Sequence, residues 1–328
     1  MNRIFIRAII AAVCLCSVFT ACKKELSDVH PSSEKVILRV AVPMGDETKV
    51  ISGIDETAVN NYQVFLFDSD GSLEDCVSQS SPDIVFSCTY GKKTIVALVN
   101  APSMADVTDY ETLTAKQTYL SDNHADAFVM SGSTTIEIKS TVPDVVSIQV
   151  TRKVAKIELA SLEVDIDIPQ YSSLPFKVSA VYLINVPAEM PYLEYATATV
   201  WYNKMGYNAE NDNTLIYDDM DDFEVTDETP YITRNTFYCY ANHTLTDSFA
   251  STWTARCTRL VVEAMLGETK YYYPVTIPKV NANKKYEVNL KITRPGSLTP
   301  DTIINTFAAG VEVYIKDWQS GGSVDEEI

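Results

Sequence analysis

The sequence predicts an all-β protein made of two antiparallel β-sandwich domains in tandem. Val, Ile, Thr and Tyr are frequent, glycine is scarce at 11 of 328 residues, and apolar segments are separated by turn signals such as Asp70-Gly71. Long helical periodicity is absent, and no glycine-rich phosphate loop is present. The chain is long for one sandwich and comfortable for two. We place the boundary near residue 150, which gives domains at 35–150 and 151–328.

The N-terminal residues 1–21 are typical of a signal peptide. Two arginines precede an apolar run that is too short to cross a bilayer comfortably and that ends at the small residue Ala21. The cysteine that follows, Cys22, predicts lipoprotein processing, in which the thiol is acylated and becomes the mature N-terminus. Several acyl chains would anchor the protein stably in the outer membrane. An ordinary signal peptide is the alternative, and residues 22–34 are expected to be a flexible tether.

The charge of the mature chain excludes one class of partner. Without residues 1–21, which contain two of the 26 basic residues, the formal charge is about −20. Such a surface repels polyanions, so we expect no nucleic acid partner.

Four cysteines remain after the anchor, in an export context that permits disulfides: Cys76, Cys88, Cys239 and Cys257. Local pairs within each half of the chain are favoured, and four thiols are the alternative. No Cys-x-x-Cys spacing is present, so neither a structural zinc site nor any other metal or cofactor is expected.

The first predicted strand has one strongly apolar face. Its apolar side chains alternate with the residues between them, as the period of a strand requires: Val36, Leu38, Val40 and Val42. A helical surface connection is expected between Met104 and Leu120. The other predicted strands are Tyr62–Phe67, Thr94–Asn100, Thr134–Ile138, Val145–Leu159, Phe176–Val186, Thr236–Ala241, Arg259–Ala264, Tyr271–Ile277, Tyr286–Thr293 and Val311–Trp318.

The sequence gives little support for catalysis, and we expect a protein that is not an enzyme. Its three histidines include no pair with metal-ligand spacing, and hydrolase signatures are absent. Asp68–Gly71 is better explained by a hairpin turn than by a calcium loop. The acidic run 217–224 is expected to be a solvated loop, with a carboxylate-based hydrolase as a weaker alternative. Trp201 and the run Tyr271–Tyr273 would suit a glycan-binding surface lipoprotein.

Eight segments, in this order, resemble the fimbrillin family of type V pilus subunits. They cover nearly the whole mature chain, and each alone is weak: Asn61–Asp68, Lys92–Asn100, the Met-Ser-Gly turn in Phe128–Gly132, Val150–Ile157, Val181–Val186, Phe237–Asn242, Lys285–Gly296 and Val311–Trp318.

The resemblance implies two transthyretin-like sandwiches and a structural subunit that is assembled with other pilus subunits on the cell surface by strand exchange. A trypsin-like or gingipain-like surface protease would remove the first strand, and a neighbour's C-terminal strand would fill the groove. Lys49 is the basic residue in the loop after that strand, where the family usually has arginine. Arg39 is a poorer cleavage candidate because it lies inside the strand. An uncleaved pilus anchor subunit is the alternative.

The donor strand implied by the resemblance lies within 303–318. Its apolar side chains alternate with polar ones, so one face can enter a groove: Val311, Val313 and Ile315. The same alternation also suits the last strand of the second domain.

Overall fold

Strands form almost all the regular structure in this computed structural model, which describes residues 35–43, 55–139, 145–205, 216–226, 228–247, 252–302 and 309–318. The strands of the first half are Val36–Ala41 (β1), Tyr62–Phe67 (β2), Leu73–Gln79 (β3), Asp83–Cys88 (β4), Gly91–Val99 (β5), Gln117–Tyr119 (β6), Met130–Ile138 (β7), Val146–Ser147 (β8) and Thr151–Arg152 (β9). Helix α1 spans Tyr110–Thr114, and a 3₁₀ turn spans Leu120–Asp122.

The strands of the second half are Val154–Val164 (β10), Phe176–Ile184 (β11), Val186–Pro187 (β12), Glu189–Pro191 (β13), Trp201–Tyr202 (β14), Tyr217–Glu224 (β15), Asn235–Tyr240 (β16), Arg259–Leu266 (β17), Thr269–Thr276 (β18), Lys284–Ile292 (β19) and Ala309–Asp317 (β20). The predicted all-β class is confirmed. None of the described helices is long and apolar enough to cross a membrane.

Two sheets face each other in the first half. One has the order β4-β1-β8, and the other has the order β3-β2-β5-β7-β9. Alternate side chains of both sheets meet in one hydrophobic cluster, whose buried members lie between Leu38 and Ile148. The outer face of β2 and β5 is covered by the connection that contains Met104 and Leu113, so β2 is buried on both faces. Helix α1 within this connection confirms the helical segment expected there.

The second half is built in the same way from sheets with the orders β16-β10-β19-β20 and β15-β11-β17-β18. Strand β10 runs parallel to β19, and the other pairs in these two sheets are antiparallel. Their core cluster runs from Val154 to Trp318 and also includes Leu120 and Phe128 from the first half. All the described residues fall in one compact unit, and the domain boundary near residue 150 stays a prediction.

Two local expectations are wrong. The acidic run 217–224 is the edge strand β15 rather than a loop, because Met220 and Phe223 pack against the core while its carboxylates face solvent. Met130–Gly132 begins strand β7 rather than forming a turn. A Cβ at Gly132 would lie 2.0 Å from the carbonyl oxygen of Gln149, so this glycine allows a neighbouring segment to approach closely.

Candidate functional site

Strand β1 is held on both sides within its sheet. It pairs antiparallel with β4 and parallel with β8, so Val40 lies opposite both Ile84 and Val146. Leu38 and Val40 are 0% and 1% exposed, and Val42 is fully buried just beyond the strand. The strand is therefore an integral part of the core.

The two faces of β1 differ as the alternation predicts. Val36 is half-buried at the start of the strand and packs against the same cluster as Leu38. On the opposite face, Ile37 is 56% exposed and Arg39 is also exposed. The four side chains of the predicted apolar face thus all point to the core of the first half.

Removal of β1 would open a groove between β4 and β8. Its floor would be formed by the inward side chains of β2 and β5, which belong to the same cluster: Val64, Leu66, Ile95, Ala97 and Val99. The three buried side chains of β1 each contribute about 1.5–3 kcal/mol on burial, so an empty groove would cost roughly 5–9 kcal/mol. A groove of this kind is a binding site for another apolar strand.

Two of the predicted processing sites lie outside the described residues. Cys22 and Lys49 both fall there, and so do residues 303–308 of the predicted donor segment. The structure describes β1 up to Pro43 and the chain again from Asp55.

The predicted donor segment lies on its own sheet in this structure. Strand β20 pairs antiparallel with β19 and forms the edge of the sheet β16-β10-β19-β20. Val311, Val313 and Ile315 are half-buried against the core of the second half. This is the position expected of the last strand of that half, and it leaves β20 with one neighbouring strand while β1 has two.

A comparison with protein families matches part of the first half. Residues 38–143 match the model of the major fimbrial subunit protein (FimA) family. Over these residues the chain is similar to the fimbrillin family. The match begins inside β1 and covers β2 to β7, which include β4 at one side of the groove and β2 and β5 at its floor. It thereby connects the groove geometry with a family of structural subunits of cell-surface fimbriae.

Solved structures share the fold of this chain. A candidate cell adhesion protein from Bacteroides eggerthii is 18% identical, with a TM-score of 0.67 over 87% of this chain and 96% of that one. A fimbrilin from Porphyromonas gingivalis W83 is 16% identical, with a TM-score of 0.61 over 86% and 96% of the two chains. The tip fimbrial protein Mfa3 of the same species is 15% identical, with a TM-score of 0.50 over 86% of this chain and 100% of that one. None of the curated proteins matches the chain.

The four cysteines in the described part of the chain are free thiols. Cys76 faces solvent on β3, whereas Cys88 points into the core of the first half, so the two do not form the favoured local disulfide. In the second half, Cys239 is buried and its burial raises the pKa of the thiol to about 12. The Cys257 thiol donates a hydrogen bond to the Thr244 carbonyl oxygen at 3.3 Å. The alternative of four thiols is the arrangement found in this structure.

The aromatic residues of the glycan-binding hypothesis do not form an open platform. Trp201 is buried, and its indole N–H donates to the Ala198 carbonyl oxygen. Tyr273 is 1% exposed, while Tyr271 and Tyr272 are half-buried against two different clusters. Successive rings on opposite faces of a strand cannot stack together on one sugar.

The carboxylates of β15 make hydrogen bonds to neighbouring side chains. Asp218 accepts a hydrogen bond from the side chain of Asn235, and Asp222 accepts one from the Ser179 hydroxyl. Among the described residues there is no group of three side chains able to hold a metal ion. These contacts give the acidic strand a structural role.

Sequence reasoning missed one junction at the end of β20. Trp318 binds Glu56 and Arg152, which lie 262 and 166 positions away in the sequence. No local pattern signals contacts over such separations, and Glu56 stands among polar loop residues. Only the folded topology brings these three side chains together.

Proposed function

We propose that this chain is a structural subunit of a cell-surface pilus, exported as a lipoprotein through Cys22 and assembled by strand exchange. A trypsin-like surface protease cuts after Lys49 and thereby separates β1 from the rest of the first half. The observation that carries the proposal is the position of β1, which fills a core groove and immediately precedes the segment containing Lys49. One cut therefore converts a covalent core strand into a dissociable peptide.

The proposed donor matches the strand it replaces in pattern and volume. We call Leu38, Val40 and Val42 the released triad, and Val311, Val313 and Ile315 the donor triad. Each triad has three apolar side chains at alternate positions. Both contain two valines; the third residue is leucine in the released triad and isoleucine in the donor triad, and these two side chains have the same number of carbon atoms. A donor running opposite to β1 places Ile315 where Leu38 was and a valine at each valine position.

The protein functions without catalysis in this proposal. Its partners are other copies of this chain or related pilus subunits, the outer membrane through the acylated Cys22, and the processing protease. The second candidate is an uncleaved anchor subunit. One observation favours it: position 49 carries lysine, whereas the family usually has arginine at the cleavage site.

The test is the N-terminal sequence and intact mass of the protein in sheared surface fibres and in washed membranes. A start at Val50 in the fibres is the expected result. A Lys49→Gln variant should lose this product and the fibres, whereas an Arg39→Gln variant should retain both. An acylated Cys22 start found only in membranes would overturn the polymerising subunit and support the anchor.

A further inference from the structure

The residue that follows β20 is fixed by an aromatic cluster. Trp318, at 7% exposure, follows the strand directly. Its ring lies edge-on to Phe128, with the centroids 5.1 Å apart, and stacks on Tyr238 at 5.7 Å and 14°. Its backbone N–H donates to the Asn283 carbonyl oxygen at 3.3 Å. The C-terminal end of β20 is therefore held more firmly than its half-buried middle.

Glu56 binds Trp318 from the other half of the chain. Its Oε2 accepts the Trp318 indole N–H at 3.1 Å. Its Oε1 accepts hydrogen bonds from the Lys156 ammonium and from the Tyr238 hydroxyl, both at 2.7 Å. Burial alone would raise the pKa of Glu56, but these hydrogen bonds outweigh it and hold the pKa below its ordinary value. The carboxylate is thus charged and fully engaged at neutral pH.

Arg152 closes the connection between the two segments. One guanidinium nitrogen donates to the Glu56 carbonyl oxygen at 3.1 Å, and another donates to the Trp318 carbonyl oxygen at 3.3 Å. The guanidinium carbon lies 4.6 Å from the centre of the Trp318 ring, which is a cation–π contact. Arg152 is 7% exposed, and the nearby negative charge of Glu56 favours its charged form against the cost of burial.

We propose that Glu56, Arg152 and Trp318 form a latch that holds β20 on its own sheet and releases it only after the chain upstream of Glu56 has been cut. This inference rests on the proposed function and adds an order of events to it. The latch joins the segment that follows the proposed cleavage site to the end of the strand that is to be donated. Cutting therefore comes first and donation second.

The physical reason is the change in how Glu56 is held. In the intact chain, its segment is tied upstream to β1, which is buried in the first core, and downstream to β2. After a cut at Lys49, seven positions earlier in the sequence, the same segment becomes a chain end. Chain ends open locally far more often than internal segments. When Glu56 leaves, Arg152 loses its counter-charge and Trp318 loses the acceptor of its indole N–H, so the end of β20 is freed.

The experiment uses the full, uncut chain and a Glu56→Gln variant. Glutamine keeps the shape and an acceptor oxygen but removes the charge opposite Arg152 and Lys156. Amide hydrogen exchange of residues 309–318 should be about tenfold faster in the variant, while exchange of β2 and β5 is unchanged. A Trp318→Phe variant, which keeps an aromatic ring and loses the indole N–H, should show the same effect if the glutamine variant folds poorly.

A matched control is Glu163→Gln. Glu163 also pairs with a lysine, Lys291 of the neighbouring β19, but it is well exposed and has no contact with Trp318. Exchange of β20 should remain at the wild-type rate in this control. Equal rates of β20 exchange in Glu56→Gln and Glu163→Gln would overturn the latch.

A second measurement separates the latch from the proposed function. Uncut Glu56→Gln chains should join cut wild-type chains as donors faster than uncut wild-type chains do, and an equal rate would also overturn the latch. The hydrogen exchange needs no assembly, so it can support the latch even if no fibre forms. Failure of the pilus proposal is recognised separately by the absence of a Val50 start in surface fibres.

Discussion

The core position of β1 predicts a large cost for truncating Leu38. This side chain is 0% exposed and lies in the cluster that joins the two sheets of the first half. A Leu38→Ala change removes three carbon atoms, worth about 2.5 kcal/mol in transfer free energy, and leaves a cavity that the strands on both sides of β1 prevent from collapsing. We expect the free energy of unfolding of the first half to fall by roughly 3–5 kcal/mol.

The matched control is Ile37→Ala, one position earlier. Ile37 lies on the opposite face of the same strand and is 56% exposed, so its truncation should cost less than about 1 kcal/mol. The assay is urea unfolding read by pulsed alkylation of the Cys88 thiol, which is buried in the same cluster and pairs with Val36 at the start of β1. This readout reports the exposure of the core that contains β1.

Equal losses of stability in the two variants would refute the placement of β1 in the core. A larger effect at Ile37 would mean that the strand presents its other face inward. If the placement holds, the same Leu38→Ala change should speed the loss of β1 from a chain cut at Lys49, by about a hundredfold for 3 kcal/mol.

Three further predictions concern other parts of the molecule. Cut chains with a Val313→Asp change should remain monomeric, as measured by light scattering. Cut chains with the outward-facing control change Glu312→Gln should assemble. Assembly of both variants would contradict the donor role. Burial lowers the pKa of Lys153 from 10.5 to about 8, so wild-type stability should rise as pH passes from 8 to 10.5. The Lys153→Met variant should therefore have a higher free energy of unfolding than wild type in urea at pH 7, by up to roughly 3 kcal/mol. This difference should shrink as the pH rises to 10. A difference that does not change with pH would refute the prediction. In the native chain without reductant, Cys76 should be alkylated first and Cys239 last, and a mass lower by one disulfide would contradict four thiols.

The parts of the fold that follow from sequence are those with a strong apolar pattern. Strand β1 differs from its prediction by one residue, because its apolar residues recur with the period of a strand. Strand β2 has the bounds expected for it, because it is a short apolar run that is buried on both faces. Strand β4 is not among the predicted strands, although its apolar residues also alternate, and Ile84, Phe86 and Cys88 all point inward. Strand β3 shows no such pattern because it lies at the edge of its sheet and buries no side chain fully.

The candidate site was predictable to a similar degree. The buried face of β1 and the half-buried face of β20 were both correctly assigned, because each depends on a local period of two. The Trp318 junction was not, because it depends on how the two halves of the chain are connected. Arg152 and Glu56 have polar neighbours in sequence, and only that topology buries Arg152 and half-buries Glu56.

The structure also supplies a reason why the proposed strand exchange would proceed in one direction. On its own sheet, β20 has one neighbouring strand and a half-buried donor triad; in the groove left by β1 it would have two neighbours and a fully buried triad. The side chains themselves are nearly equivalent, since both triads contain the same number of carbons. In the uncut chain the groove is filled by β1, which is covalently attached and cannot diffuse away. The additional burial and strand pairing of a donor therefore become available only once cleavage allows β1 to leave.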